Sequence, residues 1–230
     1  MPNSNRFDAT MMTSPSIQAV IFDCDGTLVD SERVGNTALI ECVAELGLTI
    51  TLDDALEHFA GRKMADTVRI IEDWMGRPAP HDFIQTIRQR MATAFEQRLE
   101  PMDGVAELLG KLNIPFCVAS NGPHEKMQIS LRVTGLIDHF SGRIFSAYDC
   151  DRWKPEPDLL LHAARAMGVS PSACAVIDDH TLGIQAALAA GMHPFGFAPH
   201  DAGIHLQQAG ATVFHHMADL PSVLGLDPSQ

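Results

Sequence analysis

Apolar residues recur along this chain in two patterns that take turns. Short, nearly continuous apolar runs read as strands buried on both faces. They predict strands over 18–22, 115–119, 143–146, 174–177 and 193–197, with a last short one over 211–214. Between most of these runs the apolar positions fall at helical spacing, as in Leu159, Leu160, Ala163, Ala164 and Met167. Those stretches predict helices over 105–112, 124–133, 158–167 and 182–190. Strand, helix, strand repetition argues for an α/β fold, a Rossmann-like, doubly wound parallel sheet covered on both faces.

One segment breaks the alternation. From residue 33 to 99 no strand is legible, and the pattern predicts four helices over 34–46, 52–59, 64–74 and 82–98. Leu56, Phe59, Val68, Ile71, Phe83, Ile87, Met91 and Phe95 supply their apolar stripes. Gly47, Gly61, Gly76 and Pro78-Ala79-Pro80 punctuate them. An all-helical block directly after the first strand reads as an inserted α-helical cap domain over 33–99. The core then comprises 18–32 and 100–230, preceded by a polar leader over 1–17 that is expected to be disordered.

Composition narrows the function classes. The chain has 230 residues, enough for one sizeable core with a smaller insertion. No apolar run approaches the roughly eighteen residues that span a bilayer, and the polar start lacks the features of a signal peptide. The five cysteines are odd in number and form no CxxC pair, so they read as reduced thiols in a cytoplasmic protein. Cys24, between two aspartates and pointing the other way, reads as a packed small hydrophobe. A formal net charge of −13 argues against nucleic acid as a partner. The same field repels an anionic substrate at long range, so any phosphate site must be built locally. A monomer with no membrane partner is expected.

Open α/β sheets bind ligands beyond the carboxyl ends of their strands, and each predicted strand end here carries polar groups. Asp23 and Asp25 follow the first strand, Ser120 and Asn121 the second, Lys154 the third, Asp178 and Asp179 the fourth. Asp23 and Asp25, two apart in extended chain, share one side. Two like charges so close call for an offsetting cation. The set suits cleavage of a phosphate monoester, which needs charge neutralisation, in-line attack and protonation of the leaving oxygen. Asp23 can attack phosphorus and Asp25 can carry the proton. Ser120 and Asn121 can bind phosphoryl oxygens, and Lys154 can place a fixed charge beside them. Asp178 and Asp179 are hard ligands suited to Mg²⁺, shared with Asp23 and the backbone carbonyl of Asp25. Taken singly, Ser120-Asn121-Gly122 also fits a turn, Lys154 a surface lysine, and Asp178-Asp179 a helix cap. Their order and their common placement at strand ends decide between the readings.

The stretches Asp23-Cys-Asp-Gly-Thr-Leu-Val-Asp-Ser31, Ser120-Asn-Gly, Lys154-Pro-Glu-Pro-Asp158 and Val176-Ile-Asp-Asp179 resemble, in this order, the four motifs of the haloacid dehalogenase-like superfamily. The helical insertion resembles its C1-type cap, as in the phosphoglycolate phosphatase and β-phosphoglucomutase subfamily. Ser120-Asn-Gly-Pro, Lys126-Met-Gln and the Tyr148-Asp and Arg152-Trp-Lys-Pro segments further resemble its bacterial 6-phosphogluconate phosphatase branch. The resemblance implies a Mg²⁺-dependent phosphatase of a small phosphorylated metabolite, working through an aspartyl phosphate. A phosphosugar mutase and a non-catalytic binding protein are the alternatives. Asp25 argues against dehalogenase and phosphonatase chemistry. Gly35, twelve residues after Asp23, and Met64, three after Gly61, stand where the mutases carry histidine and arginine. The resemblance also places Arg62 and Lys63 over the leaving group, where they can grip a carboxylate or a second anionic group. His180 stands where serine is usual, as a partner to Asp179 or as a cap of the next helix.

Overall fold

The computed structural model describes residues 16–59 and 64–226. Six strands form one parallel sheet in the order β3-β2-β1-β4-β5-β6. They are β1 (Ala19–Phe22), β2 (Phe116–Ser120), β3 (Ile144–Ser146), β4 (Cys174–Asp178), β5 (His193–Phe197) and β6 (Thr212–Phe214). All four side chains of β1 are buried, as are all five of β2 and of β4. Such strands must be covered on both faces, which is why their sequences are unbroken apolar runs. On one face Val20 and Phe22 pack with Val118, Leu131 and Phe140. On the other Ala19 and Ile21 pack with Leu159, Leu160, Ala163 and Ala186. Ile17, assigned above to the leader, is buried in the first of these cores; residues 1–15 lie outside the described chain.

Four helices stand between β1 and the rest of the sheet: α1 (Ser31–Glu45), α2 (Leu52–Phe59), α3 (Met64–Met75) and α4 (Phe83–Arg98). They enclose a core of their own, built from Leu39, Val43, Phe59, Ile71, Phe83 and Ile87. Arg90–Glu45 and Arg98–Glu41 join α4 to α1 on the surface, both at 2.9 Å; exposed pairs of this kind contribute little. Helix α1 starts three residues before its apolar stripe does. Its first residue, Ser31, is buried, and its hydroxyl bonds Asp25 at 2.6 Å, a tertiary contact that apolar periodicity cannot reveal.

The sheet is flanked by α5 (Val105–Lys111), α6 (His124–Val133), α7 (Asp158–Met167) and α8 (Thr181–Ala189), with short α9 (Ile204–Gln208) and α10 (Leu220–Val223) near the end. The last two were not legible, being too short to show a period. Helix α8 lies so close to β4 that a Cβ on Gly183 would overlap the Asp178 carboxylate. Gly110 in α5 faces open space. The two glycines therefore predict opposite outcomes. Gly110→Ala should stabilise the protein by about 0.5–1 kcal/mol, and Gly183→Ala should destabilise it by roughly 1–3 kcal/mol. Denaturant unfolding of both variants checks the pair of signs.

Candidate active site

In this strand order the sense in which successive strands are added reverses beside β1, so the loops after β1, β2 and β4 open a crevice at one end of the sheet. Asp23 follows β1, and its backbone N–H donates to Ile177 O of β4 at 2.8 Å. Asp178 is the last residue of β4. Lys154 arrives from the loop after β3, and its ammonium donates to Asp23 Oδ1 at 2.6 Å and to Asp178 Oδ2 at 2.8 Å. The three side chains are 4% (Lys154), 13% (Asp23) and 2% (Asp178) exposed. The Lys154–Pro155 peptide bond is cis.

The loop that presents Lys154 is clamped from β2. Asn121 Oδ1 accepts from the Lys154 backbone N–H at 2.8 Å, and Asn121 Nδ2 donates to Lys154 O at 3.3 Å. Asn121 was expected to bind phosphate through its amide or its backbone N–H. These bonds use the amide oxygen and one of the two Nδ2 hydrogens, so the side chain also holds the Lys154 loop. Ser120 ends β2, and its Oγ accepts from Gly122 N at 3.1 Å. A Cβ built on Gly122 would lie 3.6 Å from Ser120 Oγ and 3.9 Å from Asp25 Oδ2, so Ser120 and Asp25 flank one glycine.

Both oxygens of Asp25 are held. Oδ1 accepts from Ser31 Oγ at 2.6 Å, and Oδ2 from Lys126 Nζ at 2.7 Å. The sequence reading assigned no role to Ser31 or Lys126. A signal existed for Lys126: α6 begins directly after the Ser120-Asn-Gly turn, so its first turn stands over the same strand end. Asp179 Oδ1 accepts from Thr27 Oγ1 at 2.9 Å. Gly26, at φ 76°, lets the two loops meet, since a Cβ there would overlap Asp179 Oδ2. His180 caps α8: its side chain accepts from Leu182 N at 3.2 Å, and its backbone N–H donates to Asp178 Oδ1 at 2.9 Å. That favours the capping reading of His180. Cys24 is buried in the core, and burial pushes its thiol well above the ordinary range. Arg62 and Lys63 lie outside the described residues.

The charges do not balance. Burial raises the Asp23 carboxyl; Lys154 pulls it back, Asp178 and Asp25 push it up again, and it is raised to about 7. Burial alone would lower Lys154, but Asp178 and Asp23 outweigh it and raise the group. Both partners of one ion pair thus move up, because one cation serves two anions. Burial, then Asp178 and Asp23, raises Asp179 well above its usual range. Burial would also lower Lys126, and Asp25 beside it more than offsets this. The crevice therefore holds more buried negative charge than its lysines neutralise.

That donor set fits a hard divalent cation. Among the described residues no three His, Cys, Asp or Glu side chains form a ready-made cage. Asp23 and Asp179 offer two carboxylates and Asp25 a backbone carbonyl, a partial set of the kind Mg²⁺ takes while keeping waters. Each oxygen of Asp178 already accepts a bond, from Lys154 or from His180, so its first task is to hold Lys154. A cavity of about 490 Å³ opens beside Asp179, lined by Glu32 of α1, Leu52 and Leu56 of α2, and His180 and His200 of the core. That volume suits a small metabolite.

Residues 17–191 match the family of haloacid dehalogenase-like hydrolases. The chain is 36% identical over 208 residues to the 6-phosphogluconate phosphatase of Escherichia coli (strain K12), covering 90% of this chain and 94% of that one. It is 29% identical to hexitol phosphatase B of the same strain, over 79% of this chain and 84% of that one. It also resembles the structure of a HAD family hydrolase from Deinococcus radiodurans R1 with bound phosphate and sodium (TM-score 0.85, 31% identity, 93% of this chain and 96% of that one).

The raised Asp23 carboxyl has a stability consequence. Between the ordinary carboxyl value near 3.8 and about 7, the folded chain holds a proton at Asp23 that the unfolded chain has lost. Stability then falls as pH rises through this window, by an amount on the order of a few kcal/mol, and is flat above it. Without divalent cations, Asp23→Asn should therefore gain stability relative to the parent between pH 5 and pH 8. Denaturant titrations in chelator at both pH values measure the gap. A gap that stays constant contradicts the buried, uncompensated carboxylate.

Proposed function

This chain belongs to the haloacid dehalogenase-like hydrolases and is a phosphatase of that family, and we propose that it releases phosphate from a phosphosugar or phosphosugar acid such as 6-phosphogluconate. Its similarity to a 6-phosphogluconate phosphatase and a hexitol phosphatase supports this substrate class. The observation that carries the mechanism is the buried Lys154 bridging Asp23 and Asp178, with Asp25 alongside.

In the proposed reaction the Asp23 oxygen not bonded to Lys154 attacks phosphorus in line. The bond from phosphorus to the ester oxygen breaks with its electron pair, and Asp25 donates its proton to that oxygen, freeing the alcohol. Asp25 then takes a proton from a water whose oxygen attacks phosphorus. The acyl-phosphate P–O bond breaks, returning the Asp23 carboxylate and releasing inorganic phosphate. Ser120 Oγ and the Asn121 backbone N–H bond the phosphoryl oxygens, and Lys154 holds a fixed charge beside them. Asp23, Asp179 and the Asp25 carbonyl, with Asp178 behind them, would hold Mg²⁺, which when bound neutralises this charge and that of the phosphoryl group. The helical block over 33–99 acts as a cap that excludes water over the cavity, and Arg62 and Lys63 grip the leaving group. The protein works as a cytoplasmic monomer.

Phosphatase rather than mutase chemistry is favoured at the hinge. Position 35 is glycine, where the resemblance implies a histidine in the mutases, and a Cβ there would meet Phe95 at 3.5 Å and Met91 at 3.7 Å, ordinary contact distances. Phosphate release across 6-phosphogluconate, hexitol phosphates and sugar phosphates, with Mg²⁺ and with chelator, tests the proposal. Turnover should require Mg²⁺, and Asp23→Asn should lower it by roughly 10⁴-fold or more. Isomerised sugar phosphate as product, or normal turnover by Asp23→Asn, overturns it.

A further inference from the structure

Lys126 comes from the first turn of α6, yet its ammonium ends 2.7 Å from Asp25 Oδ2. With Ser31 Oγ on Oδ1, it fixes the carboxylate from both sides and so sets which way each oxygen faces. The same ammonium stands 5.8 Å from the ring centroid of Phe95, on α4 of the helical block. Phe95 and Met91 of α4 also line a groove of about 420 Å³ that has Lys126 and Ile129 of α6 on its other wall. The same first turn of α6 is anchored by His124, whose Nε2 meets both oxygens of Asp149 at 2.8 and 2.9 Å. Lys126 thus links the Asp25 carboxylate to Phe95 of α4 in the helical block. It is 39% exposed, so the ion pair is not a requirement of core packing.

We propose that Lys126 is a positioning residue that aims the Asp25 carboxylate at the leaving oxygen, and that the packing of α4 against it through Phe95 makes this aim depend on the place of the helical block. The proposal rests on the acid–base role given to Asp25. An ammonium has three donors, so Lys126 can keep its bond to Oδ2 while that oxygen faces substrate. Removing it leaves the carboxylate held by Ser31 alone and free to turn away from the ester. The loss falls on substrates whose leaving group must be protonated. An activated aryl phosphate, whose phenolate leaves without a proton, is spared most of it.

The test compares kcat/KM on a hexitol phosphate and on 4-nitrophenyl phosphate. Lys126→Met should lower the hexitol-to-aryl ratio by about tenfold to a hundredfold, the lower part of the range for general-acid assistance. Lys126→Arg should restore much of the ratio, and Phe95→Leu should shift it by a smaller factor in the same direction. If Lys126→Met fails to fold, Lys126→Gln and Phe95→Leu read the same ratio. Equal losses on both substrates, or an unchanged ratio, overturn the proposal. Asp25→Asn separates the two levels. If it leaves the ratio unchanged, the acid–base reading fails and takes the role of Lys126 with it. If it collapses the ratio while Lys126 and Phe95 variants do not, only the inference about Lys126 is wrong.

Discussion

Lys154 carries a single positive charge into a buried space between two carboxylates that come from neighbouring strands. Taking these ions out of water costs several kcal/mol each, and such pairs add little net stability over a packed apolar core. Their value lies in what they fix. The ammonium sets the distance between the ends of β1 and β4, and the Asn121 amide fixes the backbone of Lys154 from β2. Three strand ends and the loop after β3 are thereby locked to one another through one lysine. Breaking the pair would strand two buried carboxylates, at a cost of about 3–5 kcal/mol.

The same arrangement leaves the site short of positive charge, and that shortage is the link from packing to function. A dianionic phosphate could not enter a crevice of four aspartates unless something supplied further charge. Lys154 supplies a fixed part and the proposed Mg²⁺ the rest. Asp178 and Asp179 are neighbours with different duties: Asp178 is turned into the core to hold the lysine, and Asp179 is turned toward Gly26 and the loop of Asp23. The helical block contributes the roof of the cavity and, through Phe95, a contact with the lysine beside Asp25.

Much of this was legible in the amino-acid sequence because it depends on local pattern. The six strands and eight longer helices follow apolar runs and helical spacing, and the chemistry sits where those runs stop. What was not legible arises from side-chain contacts that no apolar period encodes. Lys126 reaches Asp25 across 101 residues of chain, and only its place just after the Ser120-Asn-Gly turn pointed toward the site. Asn121 was read as a phosphate ligand through its amide or its backbone N–H; that the amide also clamps the Lys154 loop, 33 residues away, is a contact no local pattern shows. The early start of α1 reflects Ser31, whose hydroxyl is committed to Asp25. The paired Asp178 and Asp179 looked equivalent, and only the direction of each side chain off the end of β4 separates them.

The proposed Mg²⁺ site places Asp23 and Asp179 on one divalent cation in the substrate-free protein. Calorimetric titration of Mg²⁺ into the substrate-free protein tests it most directly. The account predicts one ion per chain, with binding abolished or strongly weakened in both Asp23→Asn and Asp179→Asn. Undiminished binding in these two variants, or no binding to the parent protein, would contradict it.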